Sequence, residues 1–215
     1  MLERARKTYN NAPDRQENGV WLKSWNITSG NTYHQYRSRA YNVWMSIESR
    51  TNGATNGFQD FQTFTDWCQE RYGYMRVDPN GRLWSIEKDM LVLGNSCYKP
   101  ETCMFVPSEV NSILNFAEHK NAGLPFGVHV EPEERKWIYK ASCKGGNPVA
   151  KRFNCEFEAH LWWLEQKIKI CNSRIEKYKE HVVLAGAIER IRNIFEYHQR
   201  NKLVLPFSRQ DWKLD

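Results

Sequence analysis

The sequence predicts an α+β fold: N-terminal helices, a ββα hairpin core, then a three-stranded antiparallel sheet packed on a long C-terminal helix. Three observations predict it. Apolar residues recur at helical spacing between Tyr33 and Cys68. A strand-like "SIEKDML" is followed by a Gly94-Asn95 turn, a returning "CYKPETCMFV" and a helix-opening Pro107. Finally, "FGVHV", "KWIYKASC" and "VAKRFN" are short alternating segments, set ahead of a long apolar seam.

Residues 1–32 are polar and turn-rich, with short aromatic islands at Trp21 and Trp25, and are expected to form an extended arm. From Tyr33 to Ser49, the spacing of Tyr36, Ala40, Val43, Trp44 and Ile47 predicts an amphipathic helix. "TNGATNG" breaks it. Phe58, Phe61, Phe64, Trp67 and Cys68 predict a second helix, and "DPNG" (Asp78 to Gly81) a turn. After the hairpin, Val110, Ile113, Leu114 and Ala117 give the third helix its apolar face, and this central unit spans 33–120. A linker around Asn121 to Pro125 opens the last unit, 125–215, where Gly and Pro separate the three strands of a meander. Phe157, Leu161, Leu164, Ile168, Cys171, Ile175 and Tyr178 then step by fours and threes, and Leu184, Ile188, Ile191, Phe195 and His198 repeat the pattern after a bend. A seam this short suits a helix laid across the meander better than a coiled coil.

Composition bounds the function. Hydrophobic residues make up 40% of 215, enough for a packed core. Nine tryptophans suit packing or, alternatively, stacking on a ligand or nucleobase. The net charge of +6 divides as +1 up to Leu124 and +5 beyond it. Solubility alone and a polyanionic partner both fit that excess. Six cysteines form no C-x-x-C pair and no histidine sits at finger spacing, which argues against structural zinc and for free thiols in a reducing cytoplasm. No stretch approaches the ~20 apolar residues of a membrane span, and the charged N-terminus does not read as a signal peptide.

Chemistry concentrates in the hairpin. In a strand running through "SIEKDML", Glu87 and Asp89 share a face. The helix after Pro107 crosses the hairpin and can bring Asn111 to Glu87. A carboxylate and a carboxamide are hard oxygen ligands that suit Mg²⁺ (or Mn²⁺), and such a site fits phosphodiester hydrolysis. A solvated acidic face is the plainer reading of the same spacing.

The stretch "IEKDMLVLGNSCYKPETCMFVPSEVN" resembles the core of HNH-type endonucleases of bacteriophages, homing or free-standing. Glu87 stands at the first acid of that pattern, Lys88 at the basic position and Asp89 at the second acid; Gly94-Asn95, Tyr98, Pro100-Glu101-Thr102-Cys103, Phe105-Val106-Pro107 and Glu109-x-Asn111 follow in order. "LPFGVHV…KWIYKASCKGGNPVAKRFN…EFEAHLWWLEQ" resembles the DNA-binding domain of plant ethylene-response factors, a domain often fused behind phage HNH cores. The two resemblances cover roughly residues 33 to 180. They imply a ββα-metal motif with catalytic Glu87, Lys88, Asp89 and Asn111. Glu87 and Asn111 would be the metal ligands, Asp89 would assist, Tyr98 and Cys103 would brace the hairpin, and Thr102 would take the place of a loop-holding Asn. Lys88 stands where the family carries its general-base histidine. A lysine is protonated near neutral pH, so Lys88 is expected on the scissile phosphate instead. His34, His119 and His129 remain as candidate bases.

The meander is expected to read double-stranded DNA. Trp137, Tyr139, Ala141 and Cys143 alternate with Lys136, Ile138, Lys140, Ser142 and Lys144, giving one apolar and one basic face. His129, Arg135 and Arg152 add to the basic set. "KRFN" departs from the Leu-Gly-Tyr-Phe-Asp ending of the plant domains. Two functions follow: a metal-dependent DNA endonuclease, or a binding or regulatory protein built on the same scaffold with an eroded centre.

Overall fold

The computed structural model describes residues 5–50, 54–114, 123–133, 136–143 and 149–212. The N-terminal arm is a sheet. β1 (Ala5–Ala12) is followed by the two-residue strands β2 (Gln16–Glu17) and β3 (Val20–Trp21), then β4 (Ser24–Ser29) and β5 (Thr32–Ser38). Asn18 and Gly19 form the β2–β3 turn at φ 51° and 77°, the left-handed pair that tight hairpins require. β5 is central, parallel to β1 and antiparallel to β4.

The expected helix from Tyr33 begins later. β5 runs to Ser38, whose hydroxyl caps α1 (Arg39–Glu48) by accepting from the Tyr41 N–H. Tyr36 therefore belongs to a strand. "TYHQYRS" carries aromatics three apart, which a helical template accepts, but its alternation is used in pairing with β1 and β4. β6 (Thr55–Asn56) leads to α2 (Phe61–Gln69), capped by Asp60 accepting from Thr63. α1 and α2 meet through rings: Trp44 on Phe64 at 5.4 Å and on Phe61 at 6.2 Å.

The "DPNG" turn forms. The Asp78 carbonyl accepts from the Gly81 N–H, and its carboxylate accepts from the Asn80 and Arg82 N–H groups. The hairpin follows: β7 (Ser85–Glu87), β8 (Cys97–Tyr98, paired with β6), β9 (Met104–Val106) and α3 (Ser108–Leu114). β7 and β9 are antiparallel, with Glu87 opposite Met104. Ile86 and Phe105 point into the core, where Phe105 meets Trp67 and Tyr74.

The last part holds the expected meander, β10 (Val128–Glu133), β11 (Lys136–Cys143) and β12 (Val149–Phe153), all antiparallel. Two helices follow instead of one bent helix: α4 (Glu156–Lys177) and α5 (Val182–Arg200), packed against each other. The expected α5 positions, Leu184 to His198, are all buried. On α4 the buried stripe is rotated: Ala159, His160, Trp163, Leu164, Lys167 and Cys171 are buried, while Phe157, Leu161, Ile168 and Ile175 are only half-buried. The cause is tertiary. α4 lies between the sheet, α5 and α3, so contacts from several sides set its inward face. After α5 the chain returns toward the hairpin and forms a single 3₁₀ turn, Arg209–Asp211.

Candidate functional site

Two groups of residues were expected to carry function: the hairpin and the outer face of the meander. At the hairpin, the strand stops at Glu87 rather than running to Leu91. Glu87 Oε1 accepts from the backbone N–H of both Lys88 and Asp89, each at 2.9 Å. That side-chain cap turns the backbone, so Glu87 and Asp89 do not share a strand face. Asp89 is buried and is held by two cations, Lys88 at 2.9 Å and Arg209 at 3.0 Å. Arg209 also donates to the Leu114 carbonyl, tying the C-terminal tail, the Asp89 turn and the end of α3 together.

Lys88 does not reach outward for a phosphate. Its ammonium donates to Asp89 and, at 2.5 Å, to the Asn95 carbonyl, and its side chain is 17% exposed. Asn95 is the hub of the loop. Its amide donates to the Lys88 and Cys97 carbonyls and to Thr102 Oγ1, while its carbonyl accepts from the Cys97 N–H. Thr102 donates on to the Cys97 carbonyl. The loop-holding contacts expected of Thr102 are thus shared with Asn95, whose place after Gly94 marks it in the sequence only as a turn residue. Tyr98 and Cys103 are buried in the brace. The Arg50 guanidinium lies 4.9 Å from the Tyr98 ring centre, and burial pushes the Cys103 thiol up to about 12.

Glu109 is consumed structurally. Burial raises its carboxyl, but Lys177, Tyr178 and Arg174 outweigh burial and hold it below the usual carboxylate range. Next to it, the Ser108 hydroxyl donates to buried Asp78 at 2.6 Å. Together these contacts fix the N-terminus of α3.

What remains of the motif is Asn111 and half of Glu87. Both are half-buried. The Asn111 carboxamide and Glu87 Oε2 have no hydrogen-bond partner among the described residues, and no hydrogen bond joins the two side chains. No group of three or more His, Cys, Asp or Glu among the described residues could hold a metal ion. A site at Glu87 and Asn111 would therefore offer two protein oxygens. That number suits Mg²⁺, which keeps most of its waters, and does not suit zinc.

On the meander, register settles which residues share a face. His129 lies opposite Lys140, and Lys140 opposite Arg152, so the three form one row across the outer face. Glu131 bridges two of them, reaching Lys140 at 2.8 Å and Arg152 at 2.9 Å; the hydrogen bond from Lys140 is the main cause holding its carboxyl low. His129 shares a hydrogen bond with Ser142. The opposite face, with Val128, Ala141 and Cys143 buried, rests on α4. Arg135, Lys144 and His119 lie outside the described residues. Lys136 is the first residue of β11. Of the candidate bases, His34 belongs to the N-terminal sheet and His129 to the meander.

Several residues escaped the sequence reading. Arg209 and His160 act across large sequence separations, which no local pattern signals. A cleft of about 520 Å³ lies beside the hairpin, lined by Cys103, Met104, Tyr72, Glu101 and His181 among others. His181 and Tyr72 are hydrogen-bonded at 2.5 Å, and burial holds the imidazole below its usual value.

Compared with family models, curated proteins and solved structures, the chain matches none. No helix among the described residues is long and apolar enough to cross a membrane.

Proposed function

We propose that this chain is a divalent-metal-dependent DNA endonuclease of the HNH type carried by bacteriophages. One observation carries the reading. Within a rigid ββα unit, the polar side chains of Lys88, Asp89, Asn95, Thr102 and Glu109 are spent on internal bonds, while Asn111 and one oxygen of Glu87 are left free. Glu87 and Asn111 would hold Mg²⁺ or Mn²⁺ as hard oxygen ligands. A bound cation of this kind supplies stabilisation of the charge that grows on the phosphate and the leaving oxygen. The chain's own part is positional. The Glu87 cap and the Asp89–Arg209–Leu114 tie fix the end of β7 against α3, and the row His129–Lys140–Arg152 offers a basic face to duplex phosphates.

A second reading is a DNA-binding or regulatory protein on the same scaffold, without catalysis. Lys88 favours it: its ammonium is enclosed between Asp89 and Asn95, so it serves neither as base nor as phosphate contact. Incubation of supercoiled plasmid with the protein and Mg²⁺ or Mn²⁺ separates the two. Nicking by wild type that disappears in Glu87→Ala and Asn111→Ala supports the nuclease. Plasmid that stays supercoiled with either metal, alongside a salt-sensitive gel shift, supports the second reading.

A further inference from the structure

β1, β5 and β4 make a sheet that meets α1 and is otherwise little covered among the described residues. Before Ser38, no described residue of its strands is buried, although sheets ordinarily hide at least one face. One face is a column of rings set by register: Tyr9 lies opposite Tyr36, and Tyr36 opposite Trp25. Tyr9 and Tyr36 stack at 4.8 Å with planes 11° apart, and Trp25 and Tyr36 at 5.6 Å and 6°. In the next row Lys7 and Ile27 flank His34, whose ring stacks on Tyr9 at 5.8 Å. Cross-strand packing explains why the rings touch one another. It does not explain why Tyr9 and Ile27 stand 40% and 45% exposed beside half-buried Trp25, His34 and Tyr36.

Two features identify a ligand. β1 and β4 are edge strands, so the ring faces of Tyr9 and Trp25 turned away from Tyr36 have no hydrogen-bonded strand beside them. A nucleobase can extend the column at either end, and every base has a face to offer. The three strands also carry Arg6, Lys7 and Arg37 and no Asp or Glu, with Lys7 on the ring face, which complements a phosphate backbone. Bases inside a duplex keep their faces in their own stack. We infer that this sheet binds single-stranded DNA, its bases stacking on Trp25 and Tyr9 and its phosphates drawn to Lys7. The choice of DNA over RNA rests on the DNA reading above; the stacking and the charge do not.

The test titrates full-length protein into fluorescein-labelled oligothymidylate, followed by anisotropy, with oligouridylate and a duplex as parallel arms. Oligothymidylate binds, and Trp25→Ala and Lys7→Glu each weaken it by about tenfold or more. Duplex binding and plasmid nicking stay at the wild-type level in both variants. A wild type that does not bind oligothymidylate, binds oligouridylate more tightly, or loses nothing in Trp25→Ala overturns the inference. Plasmid nicking that persists in that case leaves the endonuclease reading standing. Photocrosslinking of the wild type to a 5-iodouracil oligonucleotide needs no variant: adducts on Trp25, Tyr9 or Tyr36 support the site, and adducts only elsewhere overturn it. Self-association that Trp25→Ala abolishes, without oligothymidylate binding, assigns the face to a second copy and also overturns it.

Discussion

Asp89 and Arg209 lie 120 positions apart in the chain and 3.0 Å apart in space. Through that ion pair the C-terminal tail closes over the turn that follows β7, and the same guanidinium holds the last carbonyl of α3. Glu87 ends β7 and Asn111 lies on α3, so the segment that carries Arg209 braces the elements that hold the two candidate ligands.

Removing Arg209 leaves buried Asp89 with Lys88 as its remaining cation among the described residues. Arg209→Ala is expected to destabilise the fold by roughly 2–4 kcal/mol, in the range seen when one partner of a buried pair is lost. Thermal unfolding measures it. Asp89→Asn together with Arg209→Ala should cost less than the two single changes summed; strict additivity would show that the pair is not coupled.

Glu87 has two tasks that one substitution separates. Glu87→Gln keeps an amide oxygen to accept from the Lys88 and Asp89 N–H groups, so the fold should unfold within ~1 kcal/mol of wild type. The variant loses the charge a divalent cation needs, and plasmid nicking should fall by at least about a hundredfold. Calorimetric titration with Mn²⁺ checks the cause: retained heat of binding together with lost nicking would move the metal elsewhere.

His160 is a neutral clamp. Its Nδ1–H donates to the Phe126 carbonyl, and its Nε2 accepts the Leu205 N–H, fastening the segment after α5 and the segment before β10 to α4. Burial lowers its pKa from 6.5 to about 4. Above pH 6.5 both folded and unfolded chains carry it neutral. Between 6.5 and about 4 the unfolded chain takes a proton that the folded chain refuses, so stability falls as pH falls, by up to roughly 3 kcal/mol. Denaturant unfolding from pH 7 to 4 should show the slope. His160→Gln can make both hydrogen bonds without titrating and should flatten it.

Glu131 restrains the outer face of the meander. Glu131→Gln removes the carboxylate charge that pairs with Lys140 and Arg152 and should tighten duplex binding by about two- to tenfold at low salt. Lys140→Ala and Arg152→Ala should weaken binding and reduce the slope of log K against log salt by about one each. A duplex affinity indifferent to all three changes would remove the meander from the DNA interface.

The sequence by itself determined the parts held together by near neighbours. Alternation over "KWIYKASC" sets Lys140 on the face opposite to Tyr139 and Ala141. The seam from Leu184 to His198 fixes the buried side of α5, and Asp78 and Pro107 mark where elements turn or start. Those signals are local because a strand's period, a cap and a tight turn involve residues a few positions apart. Only the tertiary structure decided that β1 pairs with β5, that α4 buries Lys167 and His160, and that Arg209 returns to Asp89. It also decided which polar groups of the hairpin are used up and which stay free. The reason is physical: a side chain's hydrogen bonds are finite, and whether Lys88 spends its own on Asp89 or on a phosphate depends on what folding brings within 3 Å of it, which no periodicity records.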